Sequence, residues 1–101
     1  MSAPTGSGGV PAAPNRSAIE ARVLDVRRSE QFPQRGDLEI EILSSRPLEG
    51  PNFAHPGRRF AAITFGDLSA AAGESIAAEA EFVGDQRGGV FRLSKVTPAA
   101  G

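Results

Sequence analysis

Five segments of the chain alternate apolar and polar side chains with a period of two residues, and this pattern constrains the fold more than any other feature. Period two is the signature of a β-strand with one buried face. The segments span residues 19–27, 38–43, 59–65, 76–83 and 90–96. Three alanines in the fourth segment are poor strand formers, so a helix is the competing interpretation there. The alternation itself, and the turn signal that follows it, favour a strand and therefore an all-β chain.

The first segment changes its phase partway along. Ile19, Ala21 and Val23 share one face, and Leu24 and Val26 then take over one residue out of step. A slip of one residue inside a strand is what a β-bulge produces. A long first strand that bends in this way allows a small sheet to close into a barrel.

The same alternation assigns the inward faces of the next three strands. In the third segment the two phases are nearly equivalent, and we assign the phase that contains Phe65 to the interior. The predicted inward residues are Leu38, Ile40, Ile42, Ala61, Ile63, Phe65, Ile76, Ala78, Ala80 and Phe82. The outward charged residues are expected to form cross-strand pairs on a solvated sheet, and they are Arg22, Glu39, Glu41, Glu79, Glu81 and Arg92.

The connections between the strands carry turn signals. The sequence GDQRGG at 84–89 predicts a hairpin. His55-Pro56-Gly57-Arg58 places Pro and Gly at the centre of a type II turn, within a long proline-rich connection at 44–59. Its flanking residues Phe53 and Phe60 are expected to pack against each other or against the barrel end. A short helical turn is predicted near 67–72, with Asp67 as the N-cap and Gly73 as the stop.

Length and composition predict one small domain. Residues 1–17 contain Val10 as their only large apolar side chain, so they are predicted to form a disordered tail. The barrel is then assigned to 18–97, and 98–101 to a C-terminal tail. No run of roughly 20 apolar residues and no signal-peptide core is present, so we predict neither a membrane span nor a membrane partner. The absence of cysteine fits a cytoplasmic protein and excludes thiolate metal sites.

The order of these elements resembles that of an OB-fold barrel over residues 18–97. The resemblance rests on the bent first strand, the helical connection between strands three and four, and the hairpin between strands four and five. No motif within the OB fold is matched, and the connection at 66–74 is short for the usual OB helix. An SH3-like barrel is therefore the alternative. The OB resemblance implies a binding surface on the outer face of strands two and three, framed by the loops 1–2 and 4–5.

Basic and aromatic residues of the connections are the candidate ligand-binding residues, namely Arg27, Arg28, Phe32, Arg35, Arg58, Arg59 and Arg87. An aromatic ring among arginines suits single-stranded nucleic acid, because the ring stacks on a base and the guanidinium groups hold phosphate. Two observations argue against this ligand. The net charge is −1, and Glu39 and Glu41 would repel phosphate on the implied binding face. In the alternative, Phe32 covers an open barrel end and the arginines are solvated.

No nucleophile, phosphate-loop, dinucleotide or metalloprotease motif is present, so we predict a non-enzymatic binding module without a cofactor or metal. The favoured partner is another protein, bound through an exposed sheet edge or the loop at 44–59. The alternative is weak binding of single-stranded DNA or RNA by the loops at 27–36 and 84–89. Convergence of the arginines on one face would favour nucleic acid, whereas scattered arginines paired with carboxylates would favour a protein.

Overall fold

The computed structural model describes residues 13–28, 31, 34–65, 71–85 and 88–99. Five strands account for most of them, and each includes one of the alternating segments. The strands are β1 (Arg16–Arg28), β2 (Arg35–Glu49), β3 (Arg59–Phe65), β4 (Ser75–Asp85) and β5 (Gly88–Pro98).

The strands form a closed barrel in the order β1-β2-β3-β5-β4, with β4 returning to β1. All neighbouring strands are antiparallel except β3 and β5, which pair in parallel through Ala62–Thr64 and Phe91–Leu93. The prediction of an all-β, five-stranded barrel is confirmed, and no helix occurs in the described part of the chain. The barrel is consistent with the OB-like resemblance.

The bulge predicted in β1 is present. The register between β1 and β2 shifts between Val23 and Asp25, so Leu24 is the extra residue. The pairing of β1 with β4 ends at the same point. There the Val23 amide donates to the Glu74 carbonyl at 2.8 Å, and the Val23 carbonyl accepts from the Gly73 amide at 2.7 Å. The bulge therefore separates a half of β1 that pairs with both β2 and β4 from a half that, among the described strands, pairs with β2 alone.

The inward faces of β1, β2 and β4 are as predicted, whereas the predicted face of β3 is wrong. Leu38, Ile40 and Ile42 of β2 are buried, and so are Ile76, Ala78 and Ala80 of β4. In β3, however, Ala62 and Thr64 are buried and Phe65 is 60% exposed. Register explains the choice, because Ala62 lies beside the fully buried Phe91 of β5. A narrow interior accommodates a large ring beside a small neighbour.

A chain of four phenylalanine rings fills one end of the barrel. Phe53 stacks on Phe82 with ring centroids 5.2 Å apart, Phe82 meets the edge of Phe91 at 5.3 Å, and Phe91 meets Phe60 at 4.8 Å. Phe53 and Phe60 therefore pack at the barrel end, each on a different ring. Edge-to-face and offset contacts at these distances are favourable geometries for aromatic pairs.

The connection between β2 and β3 is shorter than predicted, and side-chain hydrogen bonds anchor it. β2 continues through Ser44 to Glu49, so only residues 50–58 connect the strands. The Asn52 side chain anchors this connection, since it accepts from the Ser17 hydroxyl at 3.0 Å and donates to the Ser45 hydroxyl at 2.9 Å.

The type II turn in this connection has the expected geometry. Gly57 has φ = 85°, and the Arg58 amide donates to the His55 carbonyl at 3.2 Å. The HPG sequence is therefore explained by the turn.

The described structure extends N-terminal to the predicted barrel boundary at residue 18. β1 starts at Arg16, and both Asn15 and Ser17 are buried. The Asn15 side chain acts as a substitute strand neighbour, because its oxygen accepts from the Phe82 amide at 2.8 Å and its nitrogen donates to the Phe82 carbonyl at 3.1 Å. Residues 1–12 of the predicted tail lie outside the described residues.

The predicted helical turn near 67–72 falls largely outside the described residues. The described residues Ala71–Glu74 form a tight turn in which the Glu74 amide donates to the Ala71 carbonyl at 3.0 Å. Gly73 has φ = 93°, a conformation that favours glycine. This turn leads directly into β4.

Candidate functional site

The outer face of β2 and β3 carries two parallel columns of side chains. β2 contributes an acidic column, which we define as Asp37, Glu39 and Glu41. β3 contributes an apolar stripe, which we define as Ala61, Ile63 and Phe65. The antiparallel register places Asp37 beside Ile63 and Glu39 beside Ala61, while Arg35 lies beside Phe65 and Arg59 beside Glu41.

The apolar stripe is an unusual feature for a solvated strand face. Phe65 is the most exposed of the large hydrophobic residues in the described chain, at 60%. Ala61 is also exposed, and Ile63 is half-buried. At about 3.3 Å per residue the stripe is about 13 Å long. An aromatic ring at the end of such a stripe is the kind of anchor that protein interfaces use.

The acidic column beside the stripe is only partly neutralised. Asp37 is held by Arg35, whose Nε lies 2.7 Å from the Asp37 carboxylate. Glu39 and Glu41 make no ion pair in the part of the chain that the structure describes. A surface depression of about 320 Å³ adjoins the column and is lined by Asp25, Arg27, Asp37, Leu38 and Glu39. Three of its five lining side chains are therefore carboxylates.

The arginines predicted to bind ligand fall into two groups at opposite ends of this face. Arg27, Arg28 and Arg35 lie where β1 leads into β2, and Arg35 is opposite Phe65 at the end of β3. Arg58 and Arg59 lie at the beginning of β3, six residues or about 20 Å away along the strand. The two groups do not form one patch.

The remaining candidates, Phe32 and Arg87, lie outside the described residues. Because β3 and β5 are parallel, the hairpin that ends at Gly88 lies at the same end of the barrel as Arg59. The loop 1–2 lies at the other end. The two loops predicted to frame one groove are thus separated along the strands.

Two of the candidate arginines are paired with aspartates of their own strand. Arg27 donates to Asp25 at 3.2 Å, and Arg35 donates to Asp37 at 2.7 Å. Arg58 and Arg59 are exposed. An arginine that is already paired with a carboxylate is a weaker phosphate ligand, because the carboxylate offsets its charge.

The cross-strand charge pairs predicted for the solvated sheet are present on β4 and β5. Arg92 pairs with Glu81 directly across the two strands. Glu79 lies between Arg16 at 3.6 Å and Lys95 at 3.2 Å. This face differs from the β2–β3 face because its carboxylates are matched by cations.

The exposed strand edge predicted to add a partner strand is present but carries a proline. β3 pairs with β2 only up to Glu41, so β2 has no strand neighbour on that side from Leu43 to Glu49 among the described residues. Pro47 lies in this free edge and has no amide hydrogen to donate. Proline on an edge strand protects it against the addition of another strand.

No group of three or more potential metal-ligating side chains occurs in the described residues. A search of the same residues for a helix able to cross a membrane finds none. Comparison with protein-family models, with curated proteins and with solved structures finds no match.

The alternation pattern led to the prediction that Phe65 is buried, and little in the sequence indicates that its side chain is exposed. In Phe60-Ala61-Ala62-Ile63-Thr64-Phe65 both phases contain a phenylalanine and an alanine. The only contrast is Thr64 against Ile63, and it favours the phase that the structure does not adopt. The neighbouring Phe91 decides the outcome, and that contact depends on the tertiary fold.

Proposed function

We propose that the protein is a non-enzymatic module that binds a segment of another protein on the outer face of β2 and β3. The observation that carries this proposal is the exposure of Phe65 at the end of the apolar stripe. A phenylalanine left 60% exposed in line with Ala61 and Ile63 on one strand face forms an apolar patch, and such patches are surfaces that a protein partner covers. A cytoplasmic location stays a prediction from the cysteine-free composition.

We further propose that the barrel is of the OB type. The parallel pairing of β3 with β5 supports this assignment over an SH3-like barrel. Parallel neighbours require a crossover connection, whereas the strands of an SH3-like barrel run antiparallel to their neighbours. In OB barrels the face formed by strands two and three is the usual binding surface. The fold analogy therefore favours the same face as the exposed phenylalanine, although an analogy of fold alone does not define a ligand.

A protein ligand accounts for the charges of this face better than a nucleic acid does. Glu39 and Glu41 lie next to the apolar stripe without an ion pair in the described chain. A phosphate backbone would have to pass these carboxylates, and its affinity depends on cations. The arginines that would supply those cations lie in two groups, and Arg27 and Arg35 are paired with aspartates.

Binding on the face is also favoured over the two routes expected from the sequence. The free edge of β2 contains Pro47, which interrupts the amide donors that an added strand would need. The connection at 50–58 is fixed by Asn52 and by hydrogen bonds between Gly57, Arg58 and Ile42. A segment held in this way is not a flexible docking motif.

A random peptide library displayed on phage and selected against the full chain tests the proposal. We expect selected peptides to lose at least about tenfold in affinity for Phe65→Ser, because truncation of an interface aromatic typically costs more than about 1.4 kcal/mol. Val83→Ser is the matched control, since Val83 is also exposed, at 44%, but lies on β4. Peptides that bind wild type and Phe65→Ser equally would reject this face as the binding site.

Single-stranded nucleic acid is the second candidate function and has its own test. Fluorescence anisotropy of a labelled single-stranded oligonucleotide at low salt should show no binding to the full chain. Binding that falls steeply with salt and falls again in Arg58→Ala with Arg59→Ala would support nucleic acid instead.

A further inference from the structure

The charges around the apolar stripe indicate which chemistry a partner needs, if the stripe is the docking face of the proposed function. We infer that the segment that docks on the stripe is cationic and places a lysine or arginine next to Glu39. The inference concerns one position on the face, between the two groups of arginines.

Glu39 is the carboxylate with the least local compensation on the β2–β3 face. Its neighbours in register are Asp25 on β1 and Ala61 on β3, so neither of them is a cation. Glu41 differs, because its register neighbours are Arg22 and Arg59. The Asp25 and Asp37 carboxylates close to Glu39 each have only one paired arginine. An incoming cation therefore meets an excess of negative charge at Glu39 and not at Glu41.

The stripe leaves room for a long basic side chain at this position. Ala61 is exposed and contributes only a methyl group beside Glu39. The methylene stem of a lysine or arginine can lie over Ala61 and Ile63 while its charged head reaches the carboxylate, as such side chains do elsewhere. The adjoining depression of about 320 Å³ lies between β1 and β2, where Asp25 and Asp37 add carboxylates near Glu39 and the lining Arg27 is already paired with Asp25.

The ends of the face restrict where the cation is placed. Arg35 borders Phe65 at one end and Arg59 borders Glu41 at the other. Arg92 of β5, which is paired with Glu81, lies beside Ile63. Like charges across an interface are unfavourable, so a basic ligand residue is disfavoured at either end and beside Ile63. The apolar side chains of the ligand are then expected to contact Ile63 and Phe65, with the cation beside Ala61.

Two dye-labelled peptides of equal length test the inference by fluorescence anisotropy with the full chain. One alternates lysine with leucine and phenylalanine, and the other has glutamate in place of each lysine. We expect the lysine peptide to bind and the glutamate peptide to bind much more weakly. Glu39→Gln should weaken the lysine peptide about two- to fivefold, as expected for one exposed charge pair. Glu49→Gln is the matched control, because it removes an exposed carboxylate of the same strand at the opposite end of β2.

Each outcome separates this inference from the proposed function. Equal affinity of the two peptides, absence of binding by the lysine peptide, or equal effects of Glu39→Gln and Glu49→Gln would overturn the inference. If library-selected peptides still depend on Phe65 but carry no excess of lysine or arginine, the docking face stands and only its preference for cations falls. If no selected peptide depends on Phe65, the proposed function itself falls.

Discussion

Asn15 lies three residues before the barrel boundary expected from the sequence, yet its side chain is among the most connected polar groups in the described chain. It accepts from the Phe82 amide at 2.8 Å, donates to the Phe82 carbonyl at 3.1 Å, and donates to the Ala13 carbonyl at 2.9 Å. Asn15 is 5% exposed. Asn15→Ala leaves both backbone groups of Phe82 without this partner in a half-buried environment.

The expected cost of Asn15→Ala is about 2–4 kcal/mol in the free energy of unfolding. Each unsatisfied backbone group costs about 1–3 kcal/mol when it is buried, and the partial exposure of Phe82 lowers that value. Such a loss is a large fraction of the roughly 5–15 kcal/mol that stabilises a small domain. With a urea slope of about 1–2 kcal/mol per molar for a chain of this size, the urea midpoint should fall by about 1–4 M.

Urea unfolding followed by far-UV circular dichroism measures this change, since the chain has no tryptophan or tyrosine to report by fluorescence. Ser44→Ala, at an exposed position of β2, is the control and should change the unfolding free energy by less than about 0.5 kcal/mol. A chain that starts at Ala13 should likewise be more stable than one that starts at Ala18. If Asn15→Ala unfolds at the same urea concentration as Ser44→Ala, the argument that Asn15 completes the edge of β4 is wrong.

Three further predictions concern the barrel and its turns, each measured by urea unfolding. Phe91→Ala removes a ring from the middle of the aromatic chain and should lower the free energy of unfolding by about 3–5 kcal/mol. A decrease of less than about 1.5 kcal/mol would contradict the assignment of Phe91 to the core. Gly57→Ala should cost about 1 kcal/mol because φ is 85°, and Gly57→Asn should cost less since asparagine tolerates this region better. Lys95 has φ = 52°, so Lys95→Gly should be about 1 kcal/mol more stable than Lys95→Ala. Both variants lose the ion pair with Glu79, so equal stabilities of the two would show that the backbone at this position is not strained.

The strands and the bulge could be predicted from the sequence because they depend on local alternation. Leu38, Ile40 and Ile42 alternate with charged residues, so only one register of β2 buries apolar surface. The change of phase at Leu24 likewise has one simple geometric solution. These features need no knowledge of distant contacts.

The face of β3 and the start of β1 could not be predicted, because distant residues determine them. Ala62 faces inward because β5 places Phe91 beside it. Asn15 is ordered because Phe82, 67 residues away, offers it a pair of backbone hydrogen bonds. A polar residue in a segment rich in Gly and Pro gives no local indication of such a partner.

The candidate site was predicted only in part for the same reason. The outward orientation of Glu39 and Glu41 was predicted correctly, whereas the binding role of the face of strands two and three stays a proposal. The stripe itself was assigned to the interior. The arginines were chosen by residue type, and their distribution between two ends of the barrel follows from strand direction, which the sequence does not display.

The most direct test of the docking face is the set of backbone amide resonances that a selected peptide shifts in ¹H–¹⁵N correlation spectra of the full chain. We expect shifts concentrated on Glu39, Ala61, Ile63 and Phe65, with little change at Ala77 and Glu79 of β4, a strand that is not adjacent to β3. Shifts concentrated on Ala77 and Glu79, with the β3 amides unchanged, would contradict the docking face.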